Sequence, residues 1–293
     1  MNCNRNMPAP KNRHLCTLLA LLLFLPASQI NADQRSARQA MENQDNPLLL
    51  LSSSQGPIYI ELLPDEAPQN VQRFLDLAAG DVEFTDPVAN TSFTPRYYDG
   101  MRFHRVLPGQ VIQAGSPHYH PLGSPDEMLE DEINAFSLGL DRLPILAEDG
   151  SVNPVLNVGS QADFAERVLS HVYSDMNIDD VEELESRQSE VVQNLRGLTV
   201  MRLYEQEGYG YQNEFPTRGI TRGIVALAND GPDRNGPEFF ISLDDAAWLS
   251  GRYTVIGRVV EGMDVADQIG NTAIDAEAFD PQSTMIYSMR RLN

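Results

Sequence analysis

Cysteine and lysine are almost absent from this chain. Its two cysteines are Cys3 and Cys16, and its one lysine is Lys11, so all three lie close to the N-terminus. If that segment is removed, the mature protein has no thiol, forms no disulfide and depends on no particular redox compartment. The net charge of the whole chain is -21, and a surface this acidic repels nucleic acid and anionic lipid. Nucleic-acid binding is therefore not expected.

Long apolar runs are also missing, apart from one near the N-terminus. Residues 1–32 contain basic residues first, then the short apolar run Leu15–Pro26, and then a cleavage-like Ile30–Ala32. This order is typical of a secretory signal peptide, and the run is short for a bilayer span. We expect export to a bacterial periplasm and no membrane association after cleavage. An uncleaved membrane anchor is the alternative.

The remaining residues predict one large, mainly β domain. Residues 33–46 are polar and predict a flexible lead-in. Residues 47–293 contain many short apolar runs separated by Gly and Pro turns, which favours a β-barrel capped by helices. Residues 141–217 carry apolar positions at helical spacing and predict a helical insertion. A helix is expected to run from Asp180 towards Gly208.

Arg105 is the strongest candidate for chemistry. It lies inside Phe103–Leu107, a predicted strand that holds its side chain on one face. A guanidinium is always protonated and presents a planar fork of hydrogen-bond donors. On spacing alone, an arginine that only faces solvent is the favoured interpretation, so a functional role depends on the surrounding residues.

Three motifs resemble the cyclophilin family of peptidyl-prolyl cis-trans isomerases. The first is Phe-His-Arg-Val, followed by Pro-Gly and Gln-x-Gly, between residues 103 and 115. The second is Ala-Asn-x-Gly-Pro-x-x-Asn-Gly-x-x-Phe-Phe-Ile at 228–241, and the third is Trp-Leu-x-Gly-x-Tyr-Thr-Val at 248–255. The resemblance is collinear over 47–116 and 223–293. It implies a mainly β, closed cyclophilin-like barrel capped by helices, interrupted by the insertion.

The resemblance also implies a chemistry and a set of site residues. Resonance gives the peptide bond a rotation barrier of about 18–20 kcal/mol. Rotation breaks no bond, so neither a metal nor a cofactor is expected. A donor that reaches the prolyl nitrogen only in the twisted state lowers the barrier. Arg105 would be this catalytic donor, Gln113 would bind the substrate backbone, and Asn229 would bind peptide through its main chain. Val111, Phe240 and Leu249 would line the proline pocket, with Trp248 at its rim.

Three positions depart from the usual pattern of the family. Gln110 stands where a pocket phenylalanine is usual, which predicts a less apolar proline pocket. Glu238 replaces a glutamine and adds negative charge near the groove. Tyr253 stands where many members have histidine, a mild change because tyrosine also offers a ring and a polar group. Activity is still expected because Arg105 and Gln113 are kept.

Two functions follow, together with the partners that each requires. The first is an exported prolyl isomerase that acts on proline-containing polypeptides and assists their folding. The second is a catalytically weak cyclophilin-like module that binds peptides or acts as a chaperone. The insertion at 141–217 is a further candidate surface for substrates or a protein partner. His118 and His120 are spaced to share a metal, but no cysteine lies nearby and no metal site is predicted.

Overall fold

The computed structural model describes residues 33–86, 90–125, 127–272 and 284–293. The predicted signal peptide, at residues 1–32, lies outside these ranges. None of the helices in the described ranges is both long and apolar enough to cross a membrane.

Most described strands belong to one curled antiparallel sheet. Its eight strands have the order β10-β1-β2-β9-β7-β8-β6-β5, and β3 and β4 form a separate hairpin. Arg102, next to β5, forms an isolated bridge with Met285, next to β10, so the two edges of the sheet meet there. The described strands are β1 Leu48–Ser53, β2 Gly56–Leu62, β3 Phe84–Asp86, β4 Thr91–Phe93, β5 Phe103–Leu107, β6 Val111–Ala114, β7 Ile224–Leu227, β8 Phe239–Ser242, β9 Val255–Glu261 and β10 Ile286–Leu292.

Helices cap the sheet and fill the long connection between β6 and β7. The described α-helices are α1 Gln34–Ala40, α2 Pro68–Ala79, α3 Gln161–Phe164, α4 Ser170–Asp175, α5 Val181–Ser186, α6 Gln188–Gly197, α7 Val200–Gln206 and α8 Met263–Gly270. Short 3-10 turns occupy Pro117–Tyr119, Pro154–Leu156 and Ala247–Leu249, and a π-helical turn joins α3 to α4 at Ala165–Leu169. The mainly β fold with capping helices agrees with the prediction.

The main core lies between the sheet and helix α2. Pro68 has no amide hydrogen and suits the start of α2, where amide groups have no partner within the helix. Gly80 ends the helix with its backbone in the left-handed region, at φ 84°. The buried face of α2 places Phe74 edge-on to Phe239 of β8, with ring centroids 5.4 Å apart. Tyr98 packs against both rings. This packing fixes which side chains of a strand such as β8 point into the core. The residues before and after them in the strand therefore point to the other face of the sheet.

The prediction of a flexible lead-in at 33–46 was wrong. Asp33 accepts hydrogen bonds from two backbone amides and begins helix α1. Ala37 and Met41 are buried in an apolar cluster that includes Leu48. The carboxylate of Glu61 accepts from the amides of Glu42 and Asn43, which fastens the chain after α1. The composition of 33–46 gave no sign of this order because the partners that hold the segment lie elsewhere in the sequence.

The insertion predicted at 141–217 contains helices α3 to α7 and a core of its own. Val168, Val200 and Tyr204 are among its buried side chains, and Leu140, directly before the insertion, packs with them. The expected continuous helix after Asp180 was wrong, because the chain breaks at Arg187 and at Leu198. Thr199 caps the following helix by accepting from the amide of Arg202, so a new helix begins there.

Candidate functional site

A row of side chains crosses four neighbouring strands on the outer face of the sheet. Arg105 of β5 pairs with Gln113 of β6, which pairs with Phe240 of β8, which pairs with Ala226 of β7. Paired residues in adjacent strands present their side chains on the same face. A register shift lies between Phe103 and Arg105, where β5 is locally irregular. The sheet therefore brings the predicted catalytic arginine beside the predicted substrate-binding glutamine and the predicted pocket floor.

A chain of hydrogen bonds fixes the polar end of this row. Arg105 Nη1 donates to Gln113 Oε1 at 3.0 Å. Gln113 Nε2 donates to Glu238 Oε1, which also contacts His104 Nε2 at 3.0 Å. A carboxylate only accepts hydrogen bonds, so it sets the orientation of the Gln113 amide, with the oxygen towards Arg105.

The charge state of Glu238 follows from the same contacts. Burial raises the pKa of this carboxyl, but hydrogen bonds from His104 and Gln113 outweigh that effect and leave the pKa below its usual range. Glu238 therefore carries its negative charge at neutral pH. Within the described residues Arg105 makes no ion pair, and its side chain is exposed. Gln113 is the one hydrogen-bond partner of the guanidinium among the described residues, so its other donors remain available.

An apolar cluster adjoins the polar end of the row. It contains Val111, Phe240 and Leu249 as buried members, and Trp248 and Tyr253 pack against it half-buried. The rings of Phe240 and Tyr253 meet at a right angle with centroids 5.4 Å apart. The structure thus brings all five predicted apolar and rim residues into one cluster, which adjoins Gln113 through its pairing with Phe240.

Gln110 directly precedes Val111 of this cluster. It lies in the tight turn between β5 and β6, where its amide donates to the carbonyl of Leu107 at 3.0 Å. Its own carbonyl accepts from the amide of Leu243 at 2.7 Å. The side chain is exposed, and the less apolar proline pocket expected from Gln110 stays a prediction.

Asn229 lines a cavity whose surroundings are more polar than the apolar cluster. The cavity, of about 350 Å³, is lined by residues of the 228–238 loop, by Gln113 and by Met128. The Asn229 side chain donates to the carbonyl of Arg252 at 3.1 Å, which ties this loop to the segment that carries Trp248. Gly115, with φ 86°, lets the end of β6 approach the backbone carbonyl of Pro237. This close approach explains the glycine of the Gln-x-Gly motif.

Several residues around this cavity were missed in the sequence. Met128 and Arg234 line it. The backbone amide of Asp131 donates to the carboxylate of Asp233, and the backbone amide of Asp233 donates to the carboxylate of Asp131, both at 2.9 Å. These two hydrogen bonds join the two loops and bring Met128 to the cavity. Asp131 also accepts from the side chain of Asn235. Burial raises the pKa of Asp131, and these hydrogen bonds only partly oppose it. No periodic pattern marks such a contact between distant loops.

The arrangement suits recognition of an extended chain with a small apolar ring at one position. Phe240 lies in the apolar cluster, Arg105 lies two strands away in the same row, and Gln113 between them keeps one amide hydrogen that Glu238 does not use. The described residues contain no cluster of three or more metal-ligating side chains.

Comparisons with known proteins agree on one family. The model of the family "Cyclophilin type peptidyl-prolyl cis-trans isomerase/CLD" matches residues 48–291. Peptidyl-prolyl cis-trans isomerase B of Streptomyces anulatus is 26% identical over 233 residues, which cover 79% of this chain and 83% of that protein. Peptidyl-prolyl cis-trans isomerase-like 1 of Rhizopus delemar is 25% identical over 231 residues, which cover 78% and 82%.

A solved structure of a cyclophilin-type isomerase from Cryptosporidium parvum is also similar. Its TM-score is 0.45 at 16% sequence identity, with coverage of 85% of this chain and 98% of that chain. The family match spans both parts of the sheet and includes every residue of the cross-strand row. This chain therefore belongs to the cyclophilin-type peptidyl-prolyl cis-trans isomerase family.

Proposed function

We propose that this protein binds proline-containing polypeptides across the Arg105 row and accelerates rotation about their X-Pro bonds. The observation that carries the proposal is the pairing of Arg105, Gln113 and Phe240 in one row on neighbouring strands. The proline ring rests on Phe240, Val111 and Leu249, with Trp248 at the rim. Burying an apolar ring there stabilises the complex by about 25 cal/mol for each Å² removed from water.

The catalytic step in this proposal is selective stabilisation of the twisted amide. Rotation localises the lone pair on the prolyl nitrogen, and Arg105 donates a hydrogen bond to it. The planar amide offers no such acceptor, so the interaction exists mainly in the transition state. The bond to Gln113 Oε1 holds the guanidinium in place. The remaining amide hydrogen of Gln113 is available to a substrate carbonyl, and the Asn229 main chain binds the extended peptide. Each 1.36 kcal/mol of preference gives about a tenfold acceleration.

We also propose that the protein acts on exported polypeptides in a bacterial periplasm and assists their folding. The support is the order of basic, apolar and small residues at 1–32, which is typical of a cleaved signal peptide. The insertion at 141–217 is proposed as an additional contact for such clients. Separate fractionation of periplasm and membranes tests the location, and retention in the membrane fraction would favour an uncleaved anchor.

Refolding of a client separates catalysis from binding. A protein whose refolding is limited by a trans-to-cis proline step should refold faster with catalytic amounts of the parent chain, because uncatalysed isomerisation takes tens of seconds. A catalytically weak binding module would bind the unfolded client but leave the rate unchanged at substoichiometric amounts. The same assay with the exposed Val181 and Val192 of the insertion replaced by Ser tests the insertion as a client contact while leaving its core in place.

Glu238 should make the groove selective for charge. Glu238 is ionised and lines the cavity beside Gln113. Peptides with Lys near the proline should therefore be favoured over peptides with Glu, and Glu238→Gln should reduce the ratio of their kcat/KM values by about 2–5-fold, because a partly screened charge contributes about 0.5–1 kcal/mol. Glu127→Gln, at an exposed position outside this lining, is the control. An unchanged ratio in Glu238→Gln would place the substrate away from this carboxylate.

A further inference from the structure

The helical insertion packs directly against residues 247–253, the segment that carries the rim of the proposed proline pocket. Gly251 has φ 87°, and a Cβ added there would overlap the side chain of Leu140, with atoms of the Tyr204 ring 3.5 Å away. Both Leu140 and Tyr204 are buried in the core of the insertion. The turn Pro154–Leu156 also contacts the turn Ala247–Leu249. The backbone between Trp248 and Tyr253 therefore rests on the insertion.

Polar contacts tie the same two parts of the chain together. Tyr211 Oη donates to the carbonyl of Gly251 at 3.0 Å. Arg252 places its guanidinium over the ring of Tyr204, 5.2 Å from the centroid, and donates to the carbonyl of Trp248 at 3.0 Å. The carbonyl of Arg252 in turn accepts from Asn229. Arg252 thus connects the insertion to the pocket rim and to the peptide-binding loop.

We infer that the insertion positions the proline-pocket rim of this enzyme, with Tyr204 and Tyr211 as positioning residues that act through Gly251 and Arg252. The functional consequence rests on the proposed isomerase site. Trp248, Leu249 and Tyr253 each lie within three residues of Gly251, so a shift of this short segment moves the rim against Phe240. The geometry of a binding site depends on the residues that support the contacting side chains as much as on the contacting side chains themselves.

The single tryptophan of the chain gives a readout that does not need activity. Trp248 is the only tryptophan, so its emission reports the position of the rim alone. In Tyr204→Leu combined with Tyr211→Phe, we expect emission at longer wavelength and stronger quenching by acrylamide. We also expect KM for an Ala-Pro peptide to rise about 3–10-fold with kcat changed less, because loss of preorganisation weakens ground-state and transition-state binding alike.

Asp180→Ala is the matched control. Asp180 caps α5 within the insertion by accepting from the amide of Glu183. Its substitution weakens an insertion helix, so it perturbs the insertion without touching the 247–253 segment. We expect Trp248 emission and KM to stay at parental values. Helical circular dichroism of each variant verifies that the insertion is folded.

The outcomes separate this inference from the proposed function. Unchanged Trp248 emission and quenching in the folded double variant would overturn the positioning role. Equal changes in Asp180→Ala would overturn the specific role of Tyr204 and Tyr211, because a general loosening of the insertion would then suffice. If the parent protein shows no isomerase activity but the double variant shifts the Trp248 signal as expected, the positioning role stands and only the proposed reaction fails.

Discussion

Arg105→Ala should lower kcat/KM for X-Pro isomerisation by about 100-fold, which corresponds to about 2.7 kcal/mol of transition-state stabilisation. The reason is that the variant removes the donor to the prolyl nitrogen and leaves the apolar floor in place. Since Arg105 is exposed, the free energy of unfolding should change by less than about 0.5 kcal/mol. A protease-coupled assay with a short Ala-Pro peptide measures the rate, and urea denaturation measures the stability.

Two further variants sharpen this result. Arg105→Lys keeps a positive charge but loses the planar fork that bonds to Gln113 Oε1, so it should recover only part of the activity. Arg291→Ala removes another exposed strand arginine, on β10, and should leave the rate unchanged. Parental activity in folded Arg105→Ala would remove this residue from the mechanism.

Glu61→Gln should reduce the free energy of unfolding by about 3 kcal/mol, because it breaks a buried ion pair and weakens a set of carboxylate hydrogen bonds. Glu61 is fully buried and accepts from Arg258, from Asn46 and from two backbone amides after α1. A neutral amide cannot accept at both ends. The folded-to-unfolded ratio should fall roughly 100-fold, as measured by urea denaturation at constant pH.

Glu42→Gln provides the comparison for Glu61. The Glu42 side chain is 51% exposed and pairs with Arg218 and Arg258, so it joins the same ion network at the surface. An exposed pair contributes about 0–1 kcal/mol, and the loss of stability should stay within that range. Equal losses in the two variants would show that burial of Glu61 is not what makes its contacts important.

The β5–β6 part of the cross-strand row was predictable from sequence because it depends on local pattern. The strand pattern of Phe103–Leu107 and the Pro-Gly turn that follows predict the β5–β6 hairpin, in which Gln113 lies opposite Arg105. The pairing of Gln113 with Phe240 joins parts of the chain that are far apart in sequence. The role of the arginine was not deducible from spacing. It came from resemblance to a family, since a solvent-facing arginine has the same local sequence pattern.

The rest of the site depends on contacts between distant parts of the chain. Glu238 orients Gln113 from across the β6–β8 pair, and Met128 reaches the cavity only because Asp131 and Asp233 join two loops. The support of Gly251 by Tyr211 is likewise invisible in the sequence, as residue spacing carries no information on which loop meets which.

Exchange spectroscopy by NMR on an Ala-Pro peptide tests the central claim most directly, because it observes cis and trans forms at equilibrium. Without a catalyst they interconvert over tens of seconds and give no exchange cross-peaks. With a small molar fraction of this protein, cross-peaks between the two forms should appear within a mixing time of about one second, and Arg105→Ala should abolish them. Peptide resonances that shift on binding while cis and trans stay unexchanged would contradict catalysis.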